Sequence, residues 1–145
     1  MALVQKNPYD QYKRTEISTA NQGKLIVMLY DGAIKFLNIA IENMNPRTYD
    51  VVNNNILKAQ DILAELIVSL NMEEGGEIAR NLLSLYVYFK KRLLEANIQK
   101  DAAIVTEVAS HLKGLRDSWE KISAKEARTD KQATLAAKGT FSIEG

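Results

Sequence analysis

The single histidine, His111, is the first candidate for chemistry, because an imidazole can bind a metal or transfer a proton near neutral pH. A carboxylate-bridged metal site inside a helical bundle needs Glu-x-x-His pairs from two helices. One histidine cannot supply two such pairs, and the chain contains no cysteine that could form a thiolate site. We therefore expect no metal and no metal cofactor.

Phosphoryl transfer is the second chemistry that His111 suggests, because the sequence around it reads His111-Leu112-Lys113-Gly114. Histidine phosphotransfer domains, which are also helical bundles, carry the motif His-x-x-Lys-Gly. Their lysine follows by three residues and shares the helix face of the imidazole, whereas Lys113 follows by two and points elsewhere. We expect His111 to face solvent or a boundary, and keep a phosphotransfer-like bundle as an alternative.

Two clusters of charge are better explained by helix physics than by a ligand. Glu73, Glu74 and Glu77 lie where a helix is predicted to start, and carboxylates are favourable at the positive end of a helix dipole. The run Lys90-Lys91-Arg92 spreads over most of a helix circumference, which indicates a solvated flank. The formal net charge of +1 gives no strong positive electrostatic potential that would attract nucleic acid, so no nucleic-acid partner is expected.

Catalytic motifs are missing from the sequence. It has no Gly-Lys-Ser/Thr phosphate loop, no Ser-His-Asp order with a glycine elbow, and no dinucleotide fingerprint. Asp31-Gly32 lies inside a helical pattern, so this glycine is expected at a close-packing point. The sequence therefore predicts a protein that is not an enzyme and has no cofactor.

Length and composition indicate one globular domain. The chain has 145 residues, of which 46% are hydrophobic and 26% charged. Its longest apolar runs, near Leu25–Tyr30 and Ile62–Leu70, fall well short of the roughly 20 residues that span a bilayer. With no cysteine and no signal-peptide pattern at Met1–Asn7, we expect a cytoplasmic protein without membrane insertion.

Apolar residues at steps of three and four predict four helices. The first runs from about Gln22 to Met44 and carries two adjoining apolar stripes, which is typical of a central helix. Asn45-Pro46 ends it and can begin the second, which extends to about Asn71. After a break at Met72–Gly76 the third helix ends near Asn97–Lys100, and the fourth runs from about Asp101 to about Ala124, with Trp119 in the core.

Short links between helices of about 20 residues favour an all-α, antiparallel up-down four-helix bundle. The predicted organisation is an N-terminal docking arm over residues 1–18, the bundle over residues 19–124, and a tail over residues 125–145. The tail could hold one more short helix. The arm would pack on the bundle through its tyrosines, because a tyrosine ring buries a large apolar area and loses little side-chain conformational entropy.

The first three helices carry more apolar residues than their main stripes can absorb, which predicts a surface for binding. Part of this surplus is expected to lie outside the bundle, either exposed or covered by the arm or the tail. Its members are Ile26, Tyr30, Ile41, Leu57, Ile62, Ile67, Leu83, Tyr86 and Leu94.

Four blocks in order resemble the FliS family of flagellar export chaperones, from about Asn7 to about Ile122. They are Asn7-Pro8-Tyr9-x-x-Tyr12, Thr19–Leu37, Gly75–Tyr86 and Leu93–Asn97. The chain departs from the family pattern in two places: Asn21-Gln22 replaces a usual Ser-Pro, and Val87 replaces a usual acidic residue.

The resemblance implies a cytoplasmic chaperone that binds the disordered C-terminal segment of flagellin around the outside of a helical bundle. Covering that segment would prevent premature polymerisation, and the complex would then be delivered to the export gate protein FlhA. Carried over by motif, the expected partner-binding residues, in the groove or the arm, are Tyr9, Tyr12, Leu25, Leu29, Tyr30, Tyr86, Tyr88 and Leu93. For most of these residues the alternative is a place in the bundle core. A structural helical adaptor that binds folded partners is the other alternative function.

Overall fold

The computed structural model describes the backbone over residues 22–144 and the side chains over residues 22–125. The described residues form four α-helices and one turn of 3-10 helix, with no strand, which confirms the all-α prediction. The arm predicted over residues 1–18 lies outside the described residues. The helices are α1 Gln22–Glu42, α2 Tyr49–Ser69, α3 Met72–Gln99 and α4 Ala102–Glu144, and the 3-10 turn is Pro46–Thr48.

The link between α1 and α2 is short for the reason that the sequence suggests. The Asn45 side chain accepts a hydrogen bond from the Arg47 amide at 3.0 Å, and Pro46 opens the 3-10 turn. The Thr48 hydroxyl donates to the Asn43 carbonyl at 2.7 Å, which ties the turn back to the end of α1. These bonds satisfy backbone groups that helix ends leave unpaired.

The start of α3 differs from the loop predicted over Met72–Gly76. The Asn71 side chain accepts a hydrogen bond from the Glu74 amide at 3.0 Å and caps a helical turn that begins at Met72. The break lies only at Gly76, where φ of 54° and ψ of −130° interrupt the helix. Glycine reaches this backbone region without steric cost, so the turn before it can differ in direction from the rest of α3.

The end of α3 is where the sequence places it. Lys100 adopts a left-handed conformation, and the amide of Asp101 donates to the Ala96 carbonyl at 3.0 Å. The Asp101 carboxylate then accepts from the Ala103 amide at 2.9 Å, which caps α4.

Contacts divide the chain into two compact units, one of residues 28–116 and the other of residues 1–27 and 117–145. In the first unit, two contacts fix the direction of α2 against α3. The Asn97 amide donates to the Asn53 side chain at 2.9 Å, and the Gln60 amide donates to the Lys90 carbonyl at 3.1 Å. Residue numbers rise along α2 as they fall along α3, so the two helices are antiparallel.

The same reasoning orders the other helices of this unit. The Lys58 ammonium lies 5.3 Å from the centre of the Phe36 ring, while a Cβ on Gly32 would lie 3.1 Å from the Ile62 side chain, so α1 and α2 are antiparallel. Contacts from Arg92 to Glu107 and from Phe89 to His111 give the same result for α3 and α4. The Asp31 carboxylate accepts from Arg116 Nε at 2.7 Å and joins α1 to α4.

The core of this unit is a stripe at three-four spacing on each helix. On α2 it is the stripe that the spacing predicts, whereas on α3 Ile78, predicted to mark the apolar stripe, is 71% exposed and Ala79 is buried instead. Fully burying one such aliphatic or aromatic side chain stabilises a fold by roughly 1.5–3 kcal/mol. The side chains with essentially no exposure include Leu37, Val52, Ile56, Leu63, Leu66, Phe89, Leu93, Val105, Val108 and Leu112.

The second unit, as far as it is described, contains the first turns of α1 and the later part of α4. A Cβ on Gly23 would lie 3.0 Å from the Ser123 side chain, so the two helices approach closely there. Trp119, predicted in the core, is only half-buried. The fourth helix does not end near Ala124 but continues to Glu144, because a segment rich in Ala, Lys, Glu and Gln favours helix without needing an apolar stripe.

The described helices contain no segment of the length and apolar character that spanning a membrane requires.

Candidate binding surface

Exposed apolar side chains on α2 and α3 are the most informative surface feature of the described residues. Single exposed apolar residues are common on proteins, whereas rows of them indicate a binding surface. On α3, Leu83, Val87, Leu94 and Ile98 follow one another at steps of four, seven and four, which places them on one face. Leu83 is half-buried, but Ile98 is 74% exposed.

A second row lies on α2. Leu57, Ala64 and Val68 are spaced by seven and four residues and therefore share a face. Leu57 is exposed, Ala64 is half-buried, and Val68 is 83% exposed.

The two interhelical hydrogen bonds show that these rows lie side by side. Leu57 is three residues from Gln60 and four from Asn53, the two α2 residues that bond to α3. On α3, Leu94 stands in the same relation to Asn97 and Lys90. Each apolar row therefore borders the line of contact between the helices.

The antiparallel register pairs the rows level by level. It puts Leu57 beside Leu94 and Val68 near Leu83. We call this surface the α2–α3 groove; its residues are Leu57, Ala64, Val68, Leu83, Val87 and Leu94.

The run Lys90-Lys91-Arg92 spreads around α3 as predicted, and its members have different surroundings. Arg92 faces α4, where it donates to Glu107 at 2.9 Å and to Glu95 at 3.1 Å. The Arg92 guanidinium holds the pKa of the Glu107 carboxyl below its usual range, and these hydrogen bonds raise the pKa of Arg92 itself. Lys91 is exposed on the groove side of the helix.

The partner-binding residues predicted from the sequence are not in the α2–α3 groove as far as the structure describes them. Tyr9 and Tyr12 lie outside the described residues. Tyr88 is exposed, and its hydroxyl donates to Glu107 at 3.2 Å, so it lies on the α4 side of α3. The remaining five are buried: Leu25, Leu29, Tyr30, Tyr86 and Leu93. Their contact with a partner stays a prediction, and in this structure their side chains are covered.

Tyr30 and Tyr86 meet inside the bundle. Their hydroxyls share a hydrogen bond of 2.5 Å, and their ring centres are 6.3 Å apart at an angle of 55°. Burial raises the pKa of the Tyr86 hydroxyl, and the bond to Tyr30 opposes this shift in part. A tyrosine was expected at an interface because its hydroxyl needs a partner or water; here each hydroxyl supplies the partner of the other.

Sequence reasoning found half of the groove and missed the other half. The predicted surplus includes Leu57, Leu83 and Leu94 but not Ala64, Val68 or Val87. The available signal was position: Val87 lies four residues after Leu83 and seven before Leu94, and so belongs to the same face.

His111, the first candidate for metal binding or phosphoryl transfer, is exposed as predicted. Its ring stacks on that of Phe89, with the ring centres 5.8 Å apart. Within the described part of the chain, no three His, Asp or Glu side chains come together as metal ligands.

Comparisons with known proteins identify relatives over most of the chain. The family model described as "Flagellar protein FliS" matches residues 5–126. The flagellar secretion chaperone FliS of Bacillus subtilis is 34% identical over 116 residues, which cover 80% of this chain and 86% of that protein. The chaperone of the same name from Salmonella typhimurium is 36% identical over 110 residues, covering 75% and 82%.

Similarity of this extent spans all four helices and includes the α2–α3 groove. The resemblance seen in the four sequence blocks is thereby confirmed. The chain belongs to the FliS family of flagellar proteins.

Proposed function

We propose that this protein is a flagellin-specific export chaperone of the cytoplasm. It binds the disordered C-terminal segment of flagellin, prevents its premature polymerisation, and delivers it to the export gate protein FlhA. Family membership and the names of the relatives, which are flagellar secretion chaperones, support this proposal. The observation that carries it is the exposed apolar groove between α2 and α3.

The groove suits a client that is disordered while free. Such a segment loses conformational entropy when it orders, so its binding surface must be broad and largely apolar. Apolar area removed from water contributes roughly 25 cal/mol per Å², and the exposed side chains of Leu57, Val87 and Leu94 have this area available. Binding driven in this way is reversible and needs neither catalysis nor a nucleotide.

The predicted residues divide into two roles in this proposal. Tyr88 lies on the α4 side of α3, outside the groove, and its exposed ring is proposed to contact the client there. Tyr9 and Tyr12 are expected to contact the client from the arm. The buried residues Tyr86 and Leu93 lie on the inner face of α3 and hold its outer face in position.

Calorimetric titration with an isolated flagellin C-terminal fragment tests the function. We expect saturable binding at micromolar concentration with a strongly negative heat-capacity change, because apolar surface is buried. Leu57→Asp should weaken binding by about tenfold or more, since a carboxylate with no basic side chain three or four residues away on α2 would enter the apolar contact. Ser110→Asp, at an exposed position of α4, is the matched control and should bind normally.

A wild-type protein that does not bind the fragment would refute the chaperone proposal and favour the structural adaptor, which would bind folded partners instead. Equal binding by the wild type and Leu57→Asp would place the client elsewhere on the bundle. The phosphotransfer alternative is tested separately, because it requires His111, and His111→Gln should bind the fragment normally if the chaperone proposal is correct.

The arm is tested by deleting residues 1–16. We expect nearly unchanged helical content together with increased binding of an apolar dye, because the arm is proposed to cover apolar surface. Loss of the helical circular-dichroism signal would show instead that these residues are part of the folded core.

A further inference from the structure

The apolar face of α3 also carries positive charge. Arg80, Leu83, Val87, Lys91 and Leu94 follow one another at steps of three, four, four and three, so two basic residues are in the same row as the apolar ones. Lys90 borders this row on the side that contacts α2, where its carbonyl accepts from Gln60. Lys91 lies between Val87 and Leu94, so any segment that covers both must pass close to its ammonium group.

These charges have no counter-charge in the described part of the chain. No described carboxylate lies within 4.0 Å of the side-chain nitrogens of Arg80, Lys90 or Lys91. Glu95, the acidic residue nearest to Lys90 and Lys91 along α3, is already paired with Arg92. Glu77 is three residues before Arg80 but lies outside this distance.

The α2 side of the groove adds two carboxylates. Asp61 is four residues after Leu57, and Glu65 is three residues before Val68, so both border this row. Three basic side chains thus border the groove against two acidic ones, and the basic ones are all on the α3 side.

We propose that the α2–α3 groove selects a segment that carries acidic side chains beside its apolar ones. The inference rests on the proposed function, in which a flagellin segment occupies this groove. A purely apolar occupant would cover Lys91 without supplying a counter-charge, and removing an unpaired charge from water is unfavourable. A carboxylate spaced three or four residues from the apolar positions of a helical occupant would meet Lys91 or Arg80 instead.

The test compares two matched double variants of the full chain. Arg80→Glu/Lys91→Glu reverses the groove charges, and Lys35→Glu/Lys113→Glu makes the same change in net charge at exposed positions outside the groove. The probes are the flagellin C-terminal fragment and a version of it in which Asp and Glu are replaced by Asn and Gln. Affinity is measured by calorimetry between about 0.05 and 0.5 M NaCl, a range over which exposed charges become screened.

We expect the groove variant to bind the native fragment about tenfold more weakly than wild type at low salt, with the control variant within about twofold of wild type. The fragment in which Asn and Gln replace Asp and Glu (the amide fragment) should bind the wild type weakly. Its affinity should be about that of the native fragment for Arg80→Glu/Lys91→Glu. Added salt should weaken wild-type binding of the native fragment and strengthen that of the groove variant.

Two results would overturn the inference while the proposed function stands: equal loss of affinity in both double variants, or an amide fragment that binds wild type as tightly as the native one. A wild-type protein that binds neither fragment would refute the proposed function itself, which distinguishes the two failures.

Discussion

The inner and outer faces of α3 are both apolar, yet they have different roles. Leu93 is fully buried among the neighbouring helices, while the next residue, Leu94, is 54% exposed. Both belong to rows at helical spacing, and the residue types alone do not separate them. The difference lies in what each side chain contacts, so the inner face holds the bundle together and the outer face is available for a partner.

Replacement of these two adjacent leucines should show the largest contrast. Leu93→Ala should reduce the free energy of unfolding by about 2–5 kcal/mol, because it leaves a cavity in a packed core. Leu94→Ala should change it by only about 0.5 kcal/mol, as a surface substitution does. Urea denaturation followed by circular dichroism measures both values. Similar losses for the two variants would show that the outer face is covered within the folded chain.

The buried tyrosine pair gives the next largest effect on the inner face. Tyr30→Phe removes the hydroxyl that bonds to Tyr86, and leaving a buried polar group without its partner costs about 1–3 kcal/mol. Tyr88→Phe is the control: Tyr88 is on α3, as Tyr86 is, but its side chain is exposed, so the free energy of unfolding should change little. A double-mutant cycle with Tyr86→Phe measures the coupling, and a coupling energy near zero would contradict the pairing.

Alkaline pH should affect the inner face through Tyr86. Burial raises the pKa of its hydroxyl above the usual value of 10.0, so the folded chain keeps a proton that the unfolded chain releases. Stability should therefore be unaffected by this group below about pH 9 and fall above about pH 10, by at most about 1.4 kcal/mol per pH unit. Tyr86→Phe should remove this contribution, so the difference between the two denaturation series isolates it. An identical alkaline decline in both proteins would contradict the assignment.

The ion pair beside the exposed Tyr88 should contribute least. Arg92 lowers the pKa of Glu107, so this group stabilises the fold at neutral pH, and its contribution is lost as pH falls through the acidic range. Because both side chains of the pair are partly exposed, Glu107→Gln should move the urea midpoint only slightly at pH 7, and the shift should decrease as pH falls through the acidic range. A large shift of the urea midpoint at pH 7 would contradict this expectation and show that the Arg92–Glu107 pair stabilises the fold as a buried contact does.

The architecture could be predicted from the sequence because periodicity and capping residues act locally. Asn45-Pro46 marks a helix boundary through its own backbone chemistry, and the core stripe of α2 follows from its spacing. The start of α3 was misplaced because Gly75-Gly76 is typical of a loop, whereas the Asn71 cap adds one helical turn before the break.

The binding surface could be predicted only in part, because exposure depends on which helices are neighbours. Tyr30 and Tyr86 are 56 positions apart, and no local pattern indicates that their hydroxyls pair inside the bundle. Val87 is identified from the sequence only as a departure from the family pattern, because its exposure depends on the fact that no described helix packs on that side of α3.

The exposed apolar row of α3 has a definite length, which limits how much of a partner segment it can contact. From Leu83 to Val87, Leu94 and Ile98 the outer row of α3 extends about 22 Å at the rise of an α-helix. That distance matches about four helical turns, or only about seven residues of extended chain. If flagellin occupies the groove as proposed, a longer client extends past this row, so truncating the client within this length should reduce its affinity more than truncating it outside.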